Sequence, residues 1–262
     1  MALDPQALVR LARHWPGRRL TWIGGAAIER ICPARRQPTL DFAVALEETP
    51  EVIQAVMGRA ADWRLTPGHR HRWLDPSGCP VDIIPAAAAL IEAGGVTWPG
   101  EDRHMSLLGM RLAIAEGRAA PFPGAENVRI ATIPALFLLK VVAWLDRPER
   151  EKDLGDIALL LDHHVGPDDD RAFEGEAAAR GLYGEDGSAW LLGFDLGRLA
   201  ARDEREALVR FCARAASLDH PLAARLARTA PPGWHRDEAE ARRRVALFAA
   251  GLRIGGLHDD EP

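Results

Sequence analysis

The sequence predicts an α+β fold in its N-terminal half and an all-helical C-terminal half. Three observations predict it. Apolar, β-type runs fall within roughly the first 133 residues, at 19–23, 39–46 and 80–84 among others. From Pro134 onward, apolar residues recur at helical spacing. Turn chemistry punctuates the front half, and the back half has polar breaks at Gly166-Pro167 with Asp168-Asp169-Asp170 and at Pro231-Pro232-Gly233. The expected domains are therefore residues 1–133 and 134–262.

The elements follow in order. Residues 5–14 read as a helix with Leu8, Leu11 and Ala12 on one stripe. Residues 19–23 read as a strand ended by Gly24-Gly25, and 26–31 as a short helix. A basic loop at 33–38 leads into an apolar strand at 39–46 that carries a single Asp. Thr49 suits an N-cap and Pro50 the first helical position, so 50–61 reads as a helix. Short strands at 64–66 and 70–74 precede the Pro76-Ser77-Gly78 turn, and 80–84 completes a hairpin with the strand before it. Gly94-Gly95, Pro99-Gly100 and Pro121-Phe122-Pro123-Gly124 punctuate the middle, around a helix at 107–117, and one more strand is expected at 128–133. Helices are expected at 135–144, 149–163, 189–201, 204–216 and 237–250.

Composition narrows the class of protein. With 47% hydrophobic residues the chain can bury a sizeable core, and a net charge of −5 gives no global signature of a nucleic-acid binder. Arg35, Arg36, Arg64, Arg70 and Arg72 nevertheless leave room for a local basic groove. The three cysteines show no metal-ligand spacing, which fits a reducing cytosol. The N-terminus lacks the basic and apolar regions of a signal peptide, and no apolar run approaches about 18 residues, so a cytoplasmic protein without a membrane span is expected.

Four stretches bear on chemistry. Gly24-Gly25, between a strand and a helix, would let backbone amides approach a phosphate, although a tight turn without a ligand uses the same residues. Asp41 and Asp82 each interrupt an apolar strand. Asp is disfavoured there unless something meets its charge. Together the two could hold Mg²⁺ through hard oxygen ligands, and one could take a proton from an acceptor hydroxyl. The alternative is two strand-end carboxylates, solvated or paired with Arg. Lys140 is the only charge in the stretch Leu136–Leu145, either snorkelling to water or directed at a phosphate or an active-site carboxylate. Asp153 and Asp156 share a helical face, and Lys152 is spaced to pair with Asp156, as in a solvated ion-pair lattice. His69, Arg70, His71 and Arg72 alternate along one strand, as an exposed edge or as a basic wall.

These stretches, in this order, resemble the minimal nucleotidyltransferase superfamily, and most of all its AbiEii-type branch. The resemblance rests on Gly24-Gly25, on Asp82, on Leu139-Lys140-Val141-Val142-Ala143-Trp144-Leu145-Asp146-Arg147 and on Lys152-Asp153-Leu154-Gly155-Asp156, with Trp190–Leu196 as a late helical segment. It implies a nucleotidyltransferase-like mixed sheet followed by a helical region. It also implies Mg²⁺ or Mn²⁺ as cofactor and transfer of a nucleoside monophosphate from an NTP to a hydroxyl on RNA (tRNA included), a protein or a small molecule. Asp41 and Asp82 would be the catalytic, metal-holding pair, while Gly24, Gly25, Thr39 and Lys140 would contact the nucleotide. The branch includes toxins of toxin–antitoxin pairs, so an antitoxin partner comes with the resemblance.

The chain departs from the family pattern at one carboxylate. In one register Asp41 is the second strand Asp and Thr39 stands in the first one's place, with Arg35 and Gln37 in the family's Arg and Thr places; in the other, Asp41 is the first and Ala43 stands in the second place. Ala26 also replaces the Ser that often follows the glycines. Two carboxylates balance less metal charge than three, so weak or one-metal catalysis is one expectation, and a degenerate nucleotide- or partner-binding module without catalysis is the other.

Overall fold

A computed structural model describes residues 4–35, 39, 41–98, 104–120, 122–166 and 168–257. Arg36, Gln37 and Pro38 of the expected basic loop, Leu40 of the expected strand, and the break residues Pro99, Gly100, Pro121 and Pro167 lie outside the described residues. The fold is α+β, with a mixed seven-stranded sheet in the N-terminal half and helices behind it. The chain forms two compact units, residues 1–136 and 137–262. Among the described residues no helix is long and apolar enough to cross a membrane.

The N-terminal unit contains α1 (Gln6–Arg13), β1 (Leu20–Ile23), α2 (Gly24–Ile31), β2 (Phe42–Leu46), α3 (Pro50–Met57), β3 (Arg64–Leu65), β4 (Arg72–Leu74), β5 (Pro80–Pro85), α4 (Ala88–Glu92), β6 (Gly95–Thr97), β7 (His104–Ser106), α5 (Met110–Ala115), β8 (Arg118–Ala119) and β9 (Val128–Ile130). The sheet runs β3-β4-β5-β2-β1-β9-β8, and β6 with β7 forms a separate ribbon. β1 lies between antiparallel β2 and parallel β9, which is why all four of its residues are buried. β5 alternates: Val81 and Ile83 are buried and Asp82 is not. Its two prolines stand at the strand's first and last positions, where a missing N–H costs least.

Several bounds differ from the sequence reading for local reasons. The helix expected at 26–31 begins at Gly24 itself. The strand expected from residue 39 begins at Phe42, so Asp41 stands just before it. Thr49 does cap α3, accepting from the Val52 amide at 3.5 Å, but the helix ends at Met57 before Gly58. The strand expected through 133 stops at Ile130, because Pro134 sits in the first turn of the next helix. Buried Asp75 organises the β4–β5 turn. It accepts from the Ser77 and Cys79 amides at 2.9 and 2.8 Å, and from Arg10 Nε of α1 at 2.8 Å.

The remaining helices are α6 (Ile133–Asp146), which begins in the first unit, and α7 (Glu151–Asp162), α8 (Gly184–Leu199), α9 (Arg202–Ala216), α10 (Leu222–Thr229) and α11 (Glu238–Leu257). The C-terminal unit is centred on α8 and α11, whose backbones approach closely at glycines spaced four apart on both helices. A Cβ at Gly193 would lie 2.0 Å from Phe248 O, and one at Gly251 would lie 2.0 Å from Trp190 O. At Gly197 and Gly255 the corresponding distances are 2.4 Å to Leu252 O and 2.1 Å to Phe194 O. Only glycine fits at such crossings. Phe137, Phe211 and Phe248 fill the core beside them, with Phe137 and Phe248 ring centroids 4.8 Å apart.

Candidate functional site

The pairing register puts four positions on one face of the N-terminal sheet. Ala43 of β2 stands opposite Asp82 of β5, and Asp82 stands opposite Arg72 of β4. Asp41 precedes Ala43 by two residues, so the strand period carries it to the same side. Side-chain contacts agree. Arg72 grips Asp82 with both arms of its fork, Nε to Oδ1 at 2.7 Å and Nη2 to Oδ2 at 2.8 Å, and Nη2 also donates to Asp41 Oδ2. The hydrogen bond to Asp82 and the charges of both carboxylates outweigh desolvation and raise the Arg72 pKa further above its ordinary value. The two carboxylates do converge across neighbouring strands, and the cation between them is an arginine. The alternative of strand-end Asp residues paired with Arg describes the contact as it stands.

The glycine pair borders this group. Gly24 opens α2 with φ +77°, a left-handed conformation that favours glycine, and a Cβ there would meet Ala43 Cβ at 3.2 Å. A Cβ on Gly25 would lie 3.0 Å from Arg35 Nη2 and 3.5 Å from Thr39 Oγ1. Arg35 is almost wholly buried, donates to Thr39 Oγ1, and has Glu29 Oε2 at 3.8 Å. No side chain caps the start of α2. Its first amides and the Arg35 guanidinium thus make a positive flank, suited to an anion, beside an acidic pair.

The donor set fits one hard divalent ion and not two. Both carboxylates reach a single guanidinium nitrogen, so their oxygens lie within about 6 Å of each other, twice a charge-assisted hydrogen bond. Mg²⁺ is commonly held by one or two carboxylates together with substrate phosphates, which this pair can supply once Arg72 moves aside. Among the described residues no group of three or more His, Cys, Asp or Glu is arranged to hold a metal. The position facing both carboxylates and the glycine turn is Ala43, while the Thr39 hydroxyl is engaged by Arg35. Of the two positions the sequence reading weighed, Ala43 and not Thr39 stands directly beside Asp82 across the strands.

Lys140 belongs to the C-terminal unit. Its ammonium lies 2.8 Å from Asp153 Oδ1 and 2.7 Å from Asp156 Oδ2, both carboxylates almost fully buried. Lys140 is thus directed at carboxylates rather than snorkelling. Asp153 and Asp156 form a buried cluster instead of a solvated lattice, and the cation facing Asp156 comes from another helix in addition to whatever Lys152 contributes.

Two residues of the site, Arg72 and Arg35, are named in the sequence reading as basic-groove candidates but without the partners they have here. Arg72 looked like part of an exposed edge, but β3 lies outside β4 and Arg72 points at the acidic pair. Its alternation with Arg70 was the available signal. Arg35 is named in the sequence reading as part of a basic loop and groove and, by the resemblance, at the family's Arg place, but no spacing rule brings a loop arginine onto a glycine turn. No family model, no curated protein and no solved structure matches this chain.

Proposed function

We propose that the N-terminal unit is a nucleotidyltransferase-type site that transfers a nucleoside monophosphate from an NTP to a hydroxyl on RNA, a protein or a small molecule, the acceptor oxygen bonding to the α-phosphorus as the α–β phosphoanhydride bond breaks and pyrophosphate leaves. The observation that carries this reading is the convergence of Asp41 and Asp82 on one cation beside the uncapped start of α2. In this reading the α2 amides and Arg35 hold the phosphates. Asp41 and Asp82 hold one Mg²⁺ or Mn²⁺, and Asp82 accepts the proton of the acceptor hydroxyl at a carboxylate oxygen. A bound ion would supply neutralisation of phosphate charge. The site would work in the cytoplasm, and an antitoxin would be a partner that silences it.

The experiment is label transfer from α-³²P NTPs, with Mg²⁺ or Mn²⁺, onto total RNA and onto lysate protein. Transfer by the wild type and its loss in Asp82→Asn, with the fold unchanged by circular dichroism, support the proposal. Equal transfer by Asp82→Asn removes the metal-site assignment. A second reading, a nucleotide-binding module without catalysis, is favoured by Ala43, which offers no ligand, beside Asp82 and by Arg72 already neutralising the pair. Calorimetric NTP binding without label transfer selects it.

A further inference from the structure

The row of paired positions across the N-terminal sheet continues past the acidic pair to the start of α2. Arg72 of β4 stands opposite Asp82 of β5, Asp82 stands opposite Ala43 of β2, and a Cβ on Gly24 would meet Ala43 Cβ at 3.2 Å. The Arg72 fork already reaches over this row, since its Nη2 donates to Asp41, just ahead of β2. Neighbouring strands lie about 5 Å apart, so one such spacing separates Asp82, which the fork grips, from Ala43 and the α2 start beside it. Ala43 projects only a methyl group into that interval. The Arg72 side chain is 28% exposed, so its guanidinium can turn about its own bonds without disturbing the core.

Charge decides where the fork goes when the pair takes another cation. Asp41 and Asp82 together carry two negative charges, which one divalent ion cancels. That trio has no positive charge left over for a triphosphate. Sites with two metal ions stabilise the attacking oxygen with one and the leaving oxygen with the other. The donor set here fits one ion, so the leaving side falls to the protein. Arg35 flanks the start of α2, but it already donates to Thr39 and has Glu29 nearby. Arg72 would lose both carboxylate partners in the same event that brings phosphate into the site. A guanidinium released there is a planar fork of permanently charged donors, matched to two phosphate oxygens at once.

We propose that Arg72 is a catalytic residue of the transfer reaction: given up by Asp41 and Asp82 when they take a divalent ion, its guanidinium turns to the β- and γ-phosphate oxygens and neutralises the pyrophosphate as it leaves. The inference rests on the nucleotidyltransferase reading. The acceptor oxygen bonds to the α-phosphorus, and the bond from that phosphorus to the bridging oxygen breaks. Its electron pair stays on pyrophosphate, where Arg72 meets the new charge, and the acceptor proton goes to Asp82. The test compares the full chain with Arg72→Gln by calorimetry, using Mn²⁺ alone and then inorganic tripolyphosphate at saturating Mn²⁺. The two should shift in opposite directions: Mn²⁺ alone binds about tenfold more tightly in the variant, and tripolyphosphate about tenfold more weakly. A misfolded variant would lose both. Label transfer from α-³²P NTPs at saturating NTP and Mn²⁺ should fall about a thousandfold in Arg72→Gln, and Arg72→Lys, which keeps the charge without the fork, should recover part of both losses. Equal tripolyphosphate binding, equal transfer, or shifts of Mn²⁺ and tripolyphosphate in the same direction overturn the role of Arg72 while leaving the nucleotidyltransferase reading in place. A wild type that transfers no label overturns that reading and the role of Arg72 with it.

Discussion

Replacing Arg72 by Gln exposes the logic of the acidic pair. The variant leaves Asp41 and Asp82 facing one another within about 6 Å, without the fork that now joins them. At that separation their repulsion is about 3 kcal/mol for an effective dielectric of about 20, and below 1 kcal/mol if water screens them fully. Both side chains are partly exposed, at 32% and 15%, so the lower half of that range applies to stability. An ion entering the wild-type site must displace the guanidinium, and in Arg72→Gln it meets no competitor. A difference of about 1.4 kcal/mol is tenfold in affinity. Arg72→Gln should therefore bind Mn²⁺ about tenfold more tightly than wild type by titration calorimetry, and its melting temperature should gain more from added Mg²⁺. Equal or weaker Mn²⁺ binding in Arg72→Gln would refute the idea that Arg72 occupies a cation site.

Three further outcomes are expected. Gly251→Ala puts a methyl group 2.0 Å from Trp190 O, so α8 and α11 must separate; a loss of about 3 kcal/mol in urea denaturation is expected, outweighing the gain in helix propensity, and an unchanged midpoint would contradict the close packing. Lys140→Met removes the ammonium that Asp153 and Asp156 share, leaving Arg150 Nε at 3.3 Å from Asp153, and should cost about 3 kcal/mol, and adding Asp153→Asn with Asp156→Asn should restore part of it. Burial raises Asp162 to about 6 despite Arg244 and the Trp234 Nε1 bond at 2.7 Å. The folded state thus holds its proton more tightly than the unfolded chain, and Asp162 takes away stability as pH rises from about 4 to 6. Asp162→Asn, whose amide oxygen still accepts from Trp234, should flatten that slope and add about 2–3 kcal/mol at pH 7 in pH-dependent melts.

Much of the fold was legible because its signals are periodic. The Leu8–Leu11–Ala12 stripe, the alternating β5 and the long apolar helices all announce a buried face. The short pieces were not: α4 and the β6–β7 ribbon are three to five residues long, too few for a period to show. Helix α10 carried a signal that went unread, Leu222, Ala223, Leu226 and Ala227, all buried. So did the four-residue glycine spacing of α8 and α11, which marks close helix contact. At the candidate site, period two sets Asp82 apart from its apolar neighbours within β5, but its sharing a face with Asp41 depends on the β2–β5 register. Nor does period two name their partner, because which arginine faces an acidic pair depends on the β4–β5 register, and that is fixed by a turn around buried Asp75.

The most direct measurement is a crystal structure grown with Mn²⁺ and a non-hydrolysable NTP, read by anomalous scattering. A manganese peak is expected between the Asp41 and Asp82 carboxylates, with Arg72 swung away and the triphosphate at the start of α2. Clear triphosphate density elsewhere, or an Arg72 fork still closed on both carboxylates with no manganese beside them, would contradict it.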